Sequence, residues 1–329
     1  MKIITVMGCR PHLIKLDKEL PQEILWTGQH HDYRMSSLFF KELDIPKPTW
    51  NLNCKGNQVG MMVDKLVSLF HKFKPPLVQV FGDTNSSMAG ALAAAYCNIP
   101  VAHVESGLRS FDMSMPEEVN RVIIDRISKV KFCPNSYSAT NLLNEGIKDH
   151  VYIVGDPSLD TLGSFLPIPK GRNYREYILL TIHRNFTVDE EQTLKRIFEV
   201  LGGIGEKIIF PIHPRTKKNI KKFGIKLPDN IKPVLPQSYK QSLTLISNAK
   251  KVITDSGGVQ REAFWMNVPV IILRKETEWI DIIGKKGGVL VGYDPEKILE
   301  AVKNFRGYVN SPPEFGAKKK IKETLFKFI

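Results

Sequence analysis

Leu77-Val78-Gln79-Val80-Phe81-Gly82-Asp83-Thr84-Asn85-Ser86 passes from an apolar run through a polar break into an alanine-rich segment that closes at Tyr96. The apolar run has the length and β-branched content of a buried parallel strand. The break caps a helix over Ser86 to Tyr96, which Asn98 and Pro100 end. A second short strand, Val101 to Val104, follows at once. This is a βαβ unit, so its loops gather at the carboxyl ends of the strands, where open α/β sheets bind ligands. Asp83 ends the first strand and Glu105 the second, which aims both acids into one crevice. Ser114-Met115-Pro116-Glu117-Glu118-Val119-Asn120-Arg121 adds further carboxylates and an arginine where another helix starts. Carboxylates and a cation converging there imply proton chemistry beside an anion.

Plain structural roles compete with that reading. Asp83 suits a helix N-cap, Ser114 to Glu117 has capping-box spacing, and Glu117 to Arg121 is an ordinary i,i+4 pair. Glu105, between Val104 and Ser106-Gly107, has no evident capping task. The cluster carries the argument; no single member does.

Outward from this stretch the alternation continues. Lys2 to Met7 is a strand, and Gly8-Cys9-Arg10-Pro11-His12-Leu13-Ile14-Lys15 is a glycine turn into a helix that places Arg10 and Lys15 toward a phosphate-bearing ligand. Glu23 to Trp26 is a strand closed by Thr27-Gly28-Gln29-His30-His31-Asp32, Pro46 to Gln58 a loop, and Val59 to Phe73 a helix. Lys131 to Cys133 and Val151 to Val154 are strands around a helix at Ser136 to Glu145. Pro167-Ile168-Pro169-Lys170-Gly171 has linker composition, which sets the expected domains at 1–165 and 166–329. In the second half, strands at Tyr177–Thr181, Ile208–Ile212, Val252–Thr254 and Val270–Leu273 end in His183-Arg184, His213-Pro214, Asp255 and Arg274. Without hairpin signals, the pattern predicts an α/β protein of two Rossmann-like domains facing across a cleft.

Thr254-Asp255-Ser256-Gly257-Gly258-Val259-Gln260-Arg261-Glu262 is the most specific short motif. A strand ends, Ser256 caps, and two glycines open a helix whose bare N–H groups can approach a diphosphate. Glu262, one turn on, is placed to accept ribose hydroxyls. The plain alternative is a tight turn with a serine cap. The motif lacks the glycine spacing of dinucleotide binders and the lysine of a P-loop, which favours a nucleotide diphosphate joined to another group. His183 and His213, at equivalent strand ends, belong to the same face.

The 329 residues suffice for two domains, and 42% hydrophobic with 25% charged residues are globular values. No apolar run approaches the roughly 20 residues of a membrane span. The opening strand leaves no room for a signal peptide, and Cys9, Cys54, Cys97 and Cys133 have no metal-type spacing, so a cytoplasmic protein is expected. The net charge of +13 admits either nucleic acid or a polyanionic small substrate. The lysines (Lys217-Lys218, Lys221-Lys222, Lys318-Lys319-Lys320) lie outside the acid-bearing stretch and lack interleaved aromatics, so they read as solvated surface, with no nucleic acid or membrane partner.

Together these motifs resemble the non-hydrolysing UDP-N-acetylglucosamine 2-epimerases. The resemblance runs in order through Gly8-Cys9-Arg10-Pro11, Gly28-Gln29-His30, Gly82-Asp83-Thr84, His103-Val104-Glu105-Ser106-Gly107-Leu108-Arg109 and Pro116-Glu117-Glu118-Val119-Asn120-Arg121. It continues through Gly155-Asp156, His183-Arg184, His213-Pro214 and Asp255-Ser256-Gly257-Gly258. It implies a glycosyltransferase-B-like architecture, a UDP-sugar substrate, no cofactor and no metal, and a homodimer. It also implies removal of the sugar C2 proton as UDP leaves C1, then re-addition of UDP across a 2-acetamidoglucal. On this resemblance Asp83, Glu105, Glu117 and His183 are catalytic. Arg10, Lys15, Arg121, Arg184, His213, Ser256, Gly257, Gly258 and Glu262 bind substrate. Which carboxylate is base and which is acid stays open. The chain departs from the family pattern at Cys9, His12, Phe186, Thr187 and Ser242, and Asp32 stands where relatives with a regulatory UDP-sugar site carry a neutral residue. Alternatives are a hydrolysing 2-epimerase, an epimerase of a UDP-diacetamido sugar, a glycosyltransferase of the same architecture, and a basic nucleic-acid-binding protein.

Overall fold

The computed structural model describes residues 2–29, 33–54, 58–172, 174–307 and 314–329. His30, His31 and Asp32, where the resemblance placed a regulatory site, lie outside them. The chain divides into two units, Met1–Ser164 with Glu314–Ile329, and Phe165–Pro313.

The first unit is a parallel sheet of β1 (Ile3–Met7), β2 (Gln22–Trp26), β3 (Trp50–Asn51), β4 (Val78–Phe81), β5 (Val101–Val104), β6 (Val130–Cys133) and β7 (Val151–Ile153), in the order β3-β2-β1-β4-β5-β6-β7. β1 and β4 are neighbours with Val6 opposite Val80, so the chain reverses its winding between them. That switch point opens a crevice at the carboxyl ends of β1 and β4. β1, β4, β5 and β6 are buried along their whole length, as in a parallel sheet covered on both faces. Leu66 and Phe70 of the helix Val59–Phe73 are fully buried against Val78 and Val80. Burial of each such side chain contributes about 1.5–3 kcal/mol.

The second unit repeats the plan with β8 (Ile178–Thr181), β9 (Ile208–Pro211), β10 (Ile231–Val234), β11 (Lys251–Thr254), β12 (Val270–Ile272) and β13 (Gly288–Leu290), all parallel, ordered β10-β9-β8-β11-β12-β13. Its switch point falls between β8 and β11, with Thr181 opposite Thr254. The two expected Rossmann-like domains are therefore present.

Three strands escape the sequence reading. β3 is only two residues long, inside the stretch read as loop. β10 contains Pro233, which an edge strand tolerates because its missing N–H faces away from the ladder. β13, Gly288–Leu290, is a three-residue edge strand behind a glycine. The expected second domain, 166–329, is shortened at its end. The helix Ala317–Leu325 returns to the first unit, where Asp160 accepts the amides of Gly316 at 2.6 Å and Lys318 at 2.7 Å.

Candidate functional site

In the first unit Asp83 and Glu105 follow the neighbouring strands β4 and β5, beside the switch point. β4 ends at Phe81, and Gly82 takes φ +57, a left-handed turn that lets the chain leave the strand sharply. Asp83 follows. It is not the helix cap, since Thr84 is, its side chain accepting the Ser87 amide at 3.2 Å. Asp83 is thereby left to ion-pair with Arg121, while Asn120 donates to its carbonyl at 2.8 Å. Glu105 ends β5 with φ +76, an uncommon backbone for a glutamate, and ion-pairs with Lys15 from the helix Arg10–Lys15. Both side chains of that pair are 12% exposed.

The electrostatics follow from this burial. Loss of water pushes the Glu105 carboxyl above the usual carboxylate range, against the pull of Lys15. Burial draws the Lys15 ammonium down, but Glu105 and Asp156 hold it above its ordinary value. Cys9, next to them, is buried and pushed up to about 12, so it stays a neutral thiol.

The helix Pro116–Ile127 corrects two structural expectations. Its cap is Met115 without a side-chain bond, and Ser114 donates instead to Asp112 at 2.6 Å. Arg121 pairs not with Glu117 but with Asp83 and, at 2.5 Å, with Glu118. Glu118 also accepts the amides of Ser110 and Phe111 at 3.0 Å each, so its oxygens are committed. Glu117 is half-buried and makes no hydrogen bond or ion pair with the described residues. Of the two adjacent glutamates, Glu117 is the one available to a ligand. Arg10, half-buried, stacks over Phe39 at 5.4 Å. Of the three cations expected to hold phosphate, Lys15 and Arg121 are engaged by the acids themselves.

In the second unit His213, His183 and Asp255 follow the adjacent strands β9, β8 and β11. Asp255, fully buried after β11, accepts the backbone amides of His183 and Arg184, each at 2.9 Å, across to the end of β8. It lies 3.5 Å from His183 Nδ1. His213, after β9, caps the helix Pro214–Lys222 by accepting the Arg215 amide on Nδ1 at 3.2 Å, which leaves its Nε2 as the outer nitrogen. The His183 and His213 rings are 5.3 Å apart.

The helix Gly257–Trp265 begins at Ser256, whose hydroxyl makes no cap bond. Its first-turn N–H groups thus have neither an intrahelical nor a cap acceptor. A Cβ at Gly257 would lie 3.1 Å from both Glu278 Oε1 and Trp279 Nε1, so a side chain there would press on both. Gly258 is exposed, and Glu262 sits buried one turn along.

Sequence reasoning missed Arg274 and Glu278, which pair at 2.6 Å, with Arg184 Nη2 3.8 Å from the same carboxylate. Arg274 was marked only as the end of a strand; a cation at a strand's carboxyl end was the available signal. Among the described residues no cluster of His, Cys, Asp or Glu could hold a metal, and no helix is long and apolar enough to cross a membrane.

Two doubly wound parallel sheets, each with polar and charged side chains at the carboxyl ends of its strands, define a protein of two Rossmann-like units. The sequence profile of the family described as UDP-N-acetylglucosamine 2-epimerase matches residues 12–321, and the chain belongs to that enzyme family. A UDP-N-acetylglucosamine 2-epimerase homolog of Methanococcus maripaludis is 44% identical over 330 residues, covering 93% of this chain and 92% of that protein. A UDP-2,3-diacetamido-2,3-dideoxy-D-glucuronate 2-epimerase of Pseudomonas aeruginosa is 38% identical, covering 93% of each chain. Among solved structures, the UDP-GlcNAc 2-epimerase of Methanocaldococcus jannaschii in complex with UDP-GlcNAc and UDP matches with a TM-score of 0.91 and 37% identity, over 99% of this chain and 100% of that one.

Proposed function

We propose that this enzyme interconverts UDP-N-acetylglucosamine and UDP-N-acetylmannosamine. A carboxylate of the first unit takes the proton from C2 of the sugar. The C–H electron pair becomes the C1=C2 bond, and the C1–O bond breaks with its pair leaving on UDP. A second acid then returns a proton to the opposite face of the 2-acetamidoglucal, and UDP oxygen re-forms the bond at C1. The sequence is redox-neutral and conserves every atom. Because it runs in both directions, each carboxyl on a given face must serve as base one way and acid the other.

The single observation that carries this reading is the buried Glu105–Lys15 pair beside Asp83–Arg121 at the carboxyl ends of β4 and β5, in a chain of this family. Glu117 supplies a third carboxylate in the first unit, and His183 an imidazole in the second. In the second unit the open amides of Gly257 and Gly258, with Ser256, Arg184 and His213, suit the charge of a diphosphate; in the first unit Arg10, Lys15 and Arg121 supply cations beside the acids. Glu262 takes the ribose hydroxyls. The first unit thus carries the proton chemistry and the second holds the nucleotide, in a cytoplasmic homodimer acting on a UDP-sugar and not on nucleic acid.

Incubation with UDP-N-acetylglucosamine, followed by anion-exchange separation, tests the outcome. A new UDP-sugar peak that releases N-acetylmannosamine on mild acid treatment is expected. Free UDP with free N-acetylmannosamine would replace this reading by a hydrolysing epimerase. The similarity to the Pseudomonas aeruginosa enzyme supports a second substrate, a UDP-diacetamido sugar, which the same separation distinguishes.

A further inference from the structure

Beneath the acids of the first unit lies a polar chain that the proposed reaction leaves unused. His103 on β5 is fully buried, with Nδ1 2.7 Å from Asp125 Oδ1 and Nε2 2.9 Å from the Gly82 carbonyl. Asp125, also fully buried, accepts the Gly107 amide at 3.0 Å and Arg109 Nη1 at 2.7 Å on its other oxygen. Arg109 in turn forks onto Glu145 at 2.6 and 2.7 Å. We propose that the His103–Asp125 pair is the positioning device that sets the spacing of Asp83 and Glu105, by tying the turn that carries one to the turn that carries the other.

The ties fall where the backbone most needs them. Gly82, immediately before Asp83, stands at φ +57; Glu105 stands at φ +76 and Gly107 at φ +77. A left-handed glutamate persists only where its surroundings over-determine it. The imidazole fixes the carbonyl of the first turn, and the carboxylate fixes the amide two residues past Glu105. Gly107 admits no side chain, since its Cβ would fall 2.2 Å from the Ser138 carbonyl oxygen, so that turn cannot be held by bulk. Both ring nitrogens face oxygen acceptors, and Asp125, despite burial, is kept below the usual carboxylate range by His103 and Arg109. The pair is therefore held from both sides and shielded from water. Neither residue touches the ligand face; both act through the two acids.

This inference rests on the proposed epimerase reading only for its kinetic consequence. His103→Asn retains a polar group within reach of Asp125 but not of Gly82; His103→Gln reaches Gly82 but loses the planar tie to Asp125. In both variants, turnover of C2 exchange per UDP-binding site, counted by calorimetric titration with UDP, is expected to fall at least about 10-fold, with the UDP Kd within about twofold. Misplacement of a reacting group by an ångström costs about 10²-fold. A purely structural role would lower the number of UDP-binding sites and leave turnover per site unchanged, and that result would overturn the proposal. Amide hydrogen exchange on the same proteins judges it without reference to activity. Segments 82–86 and 105–109 are expected to lose protection together, at least about 10-fold, whereas unchanged protection, or loosening of one segment alone, would refute the tie. A wild-type enzyme silent in C2 exchange would fault the functional reading and leave the amide-exchange result to decide the pair.

Discussion

Replacing Lys15 with methionine keeps the aliphatic stem and removes the cation facing Glu105. At about 4 Å between charge centres and an effective dielectric near 20, the lost attraction is about 4 kcal/mol. Removing one member of a buried pair costs about 3–5 kcal/mol, because the other charge is left unpaired. Glu105 escapes part of that cost by binding a proton. Burial already holds it above its ordinary value, and without Lys15 it moves further up. Two consequences follow. The stability that a protonated Glu105 contributes is present below the ordinary carboxylate pKa and lost as pH rises through the folded value, so Lys15→Met loses more stability than the wild type on going from acid to neutral pH. The acidic limb of the exchange reaction, which needs ionised Glu105, moves to higher pH, and turnover at neutral pH falls about 10²–10³-fold. The assay is NMR-detected exchange at C2 against pH, with thermal unfolding at each pH and UDP affinity by calorimetry. A limb that stays in place or moves down would refute the coupling. Should UDP affinity collapse while the limb stays, Lys15 would be a phosphate ligand only.

Asp83→Asn is expected to reduce exchange by about 10³-fold while UDP still binds, because the nucleotide groups belong to the other unit; loss of UDP affinity measured by calorimetry would misplace the residue. Glu117→Gln should lower turnover strongly with little change in melting temperature, since Glu117 makes no bond with the described residues; Glu118→Gln should melt early instead, because it loses the charge facing Arg121 and turns one of two committed acceptor oxygens into an NH2 group set against N–H donors. Gly257→Ala places a methyl 3.1 Å from Glu278 and Trp279, and should weaken UDP binding at least about 10-fold in a calorimetric titration. Lys318, drawn down to about 8 chiefly by burial, binds fewer protons folded than unfolded above that pH, so stability should rise between about pH 8 and the ordinary lysine pKa of 10.5. Lys318→Met should flatten that rise in urea melts, and an equal rise in the variant would remove Lys318 as its source.

The parallel alternation was readable because fully apolar four-residue runs such as Val270–Leu273 sit between breaks, and the breaks carry polar and charged residues at the strands' carboxyl ends. Thus Asp83, Glu105, His183, His213 and Asp255-Ser256-Gly257 could be located from one sequence. Pairings were not readable. Asp83 and Thr84 are both good caps, and only the turn at Gly82 decides that Thr84 takes the amide. Glu117 and Glu118 differ by one helical step, about 100°, which buries one and leaves the other available. Arg121 could reach either glutamate along its own helix, and a partner on another element, Asp83, shares it instead. The buried His103–Asp125–Arg109 chain joins residues whose separations of 22 and 16 carry no local signal. The return of 314–329 to the first unit is likewise a long-range event, anchored on Asp160.

One experiment meets the central claim head on: wild-type enzyme and UDP-N-acetylglucosamine in deuterium oxide, followed by proton NMR. The account predicts that the C2 proton signal of the recovered substrate fades as a UDP-N-acetylmannosamine deuterated at C2 accumulates. Substrate recovered with its C2 proton intact, or a product that retains it, would contradict proton transfer by these carboxylates.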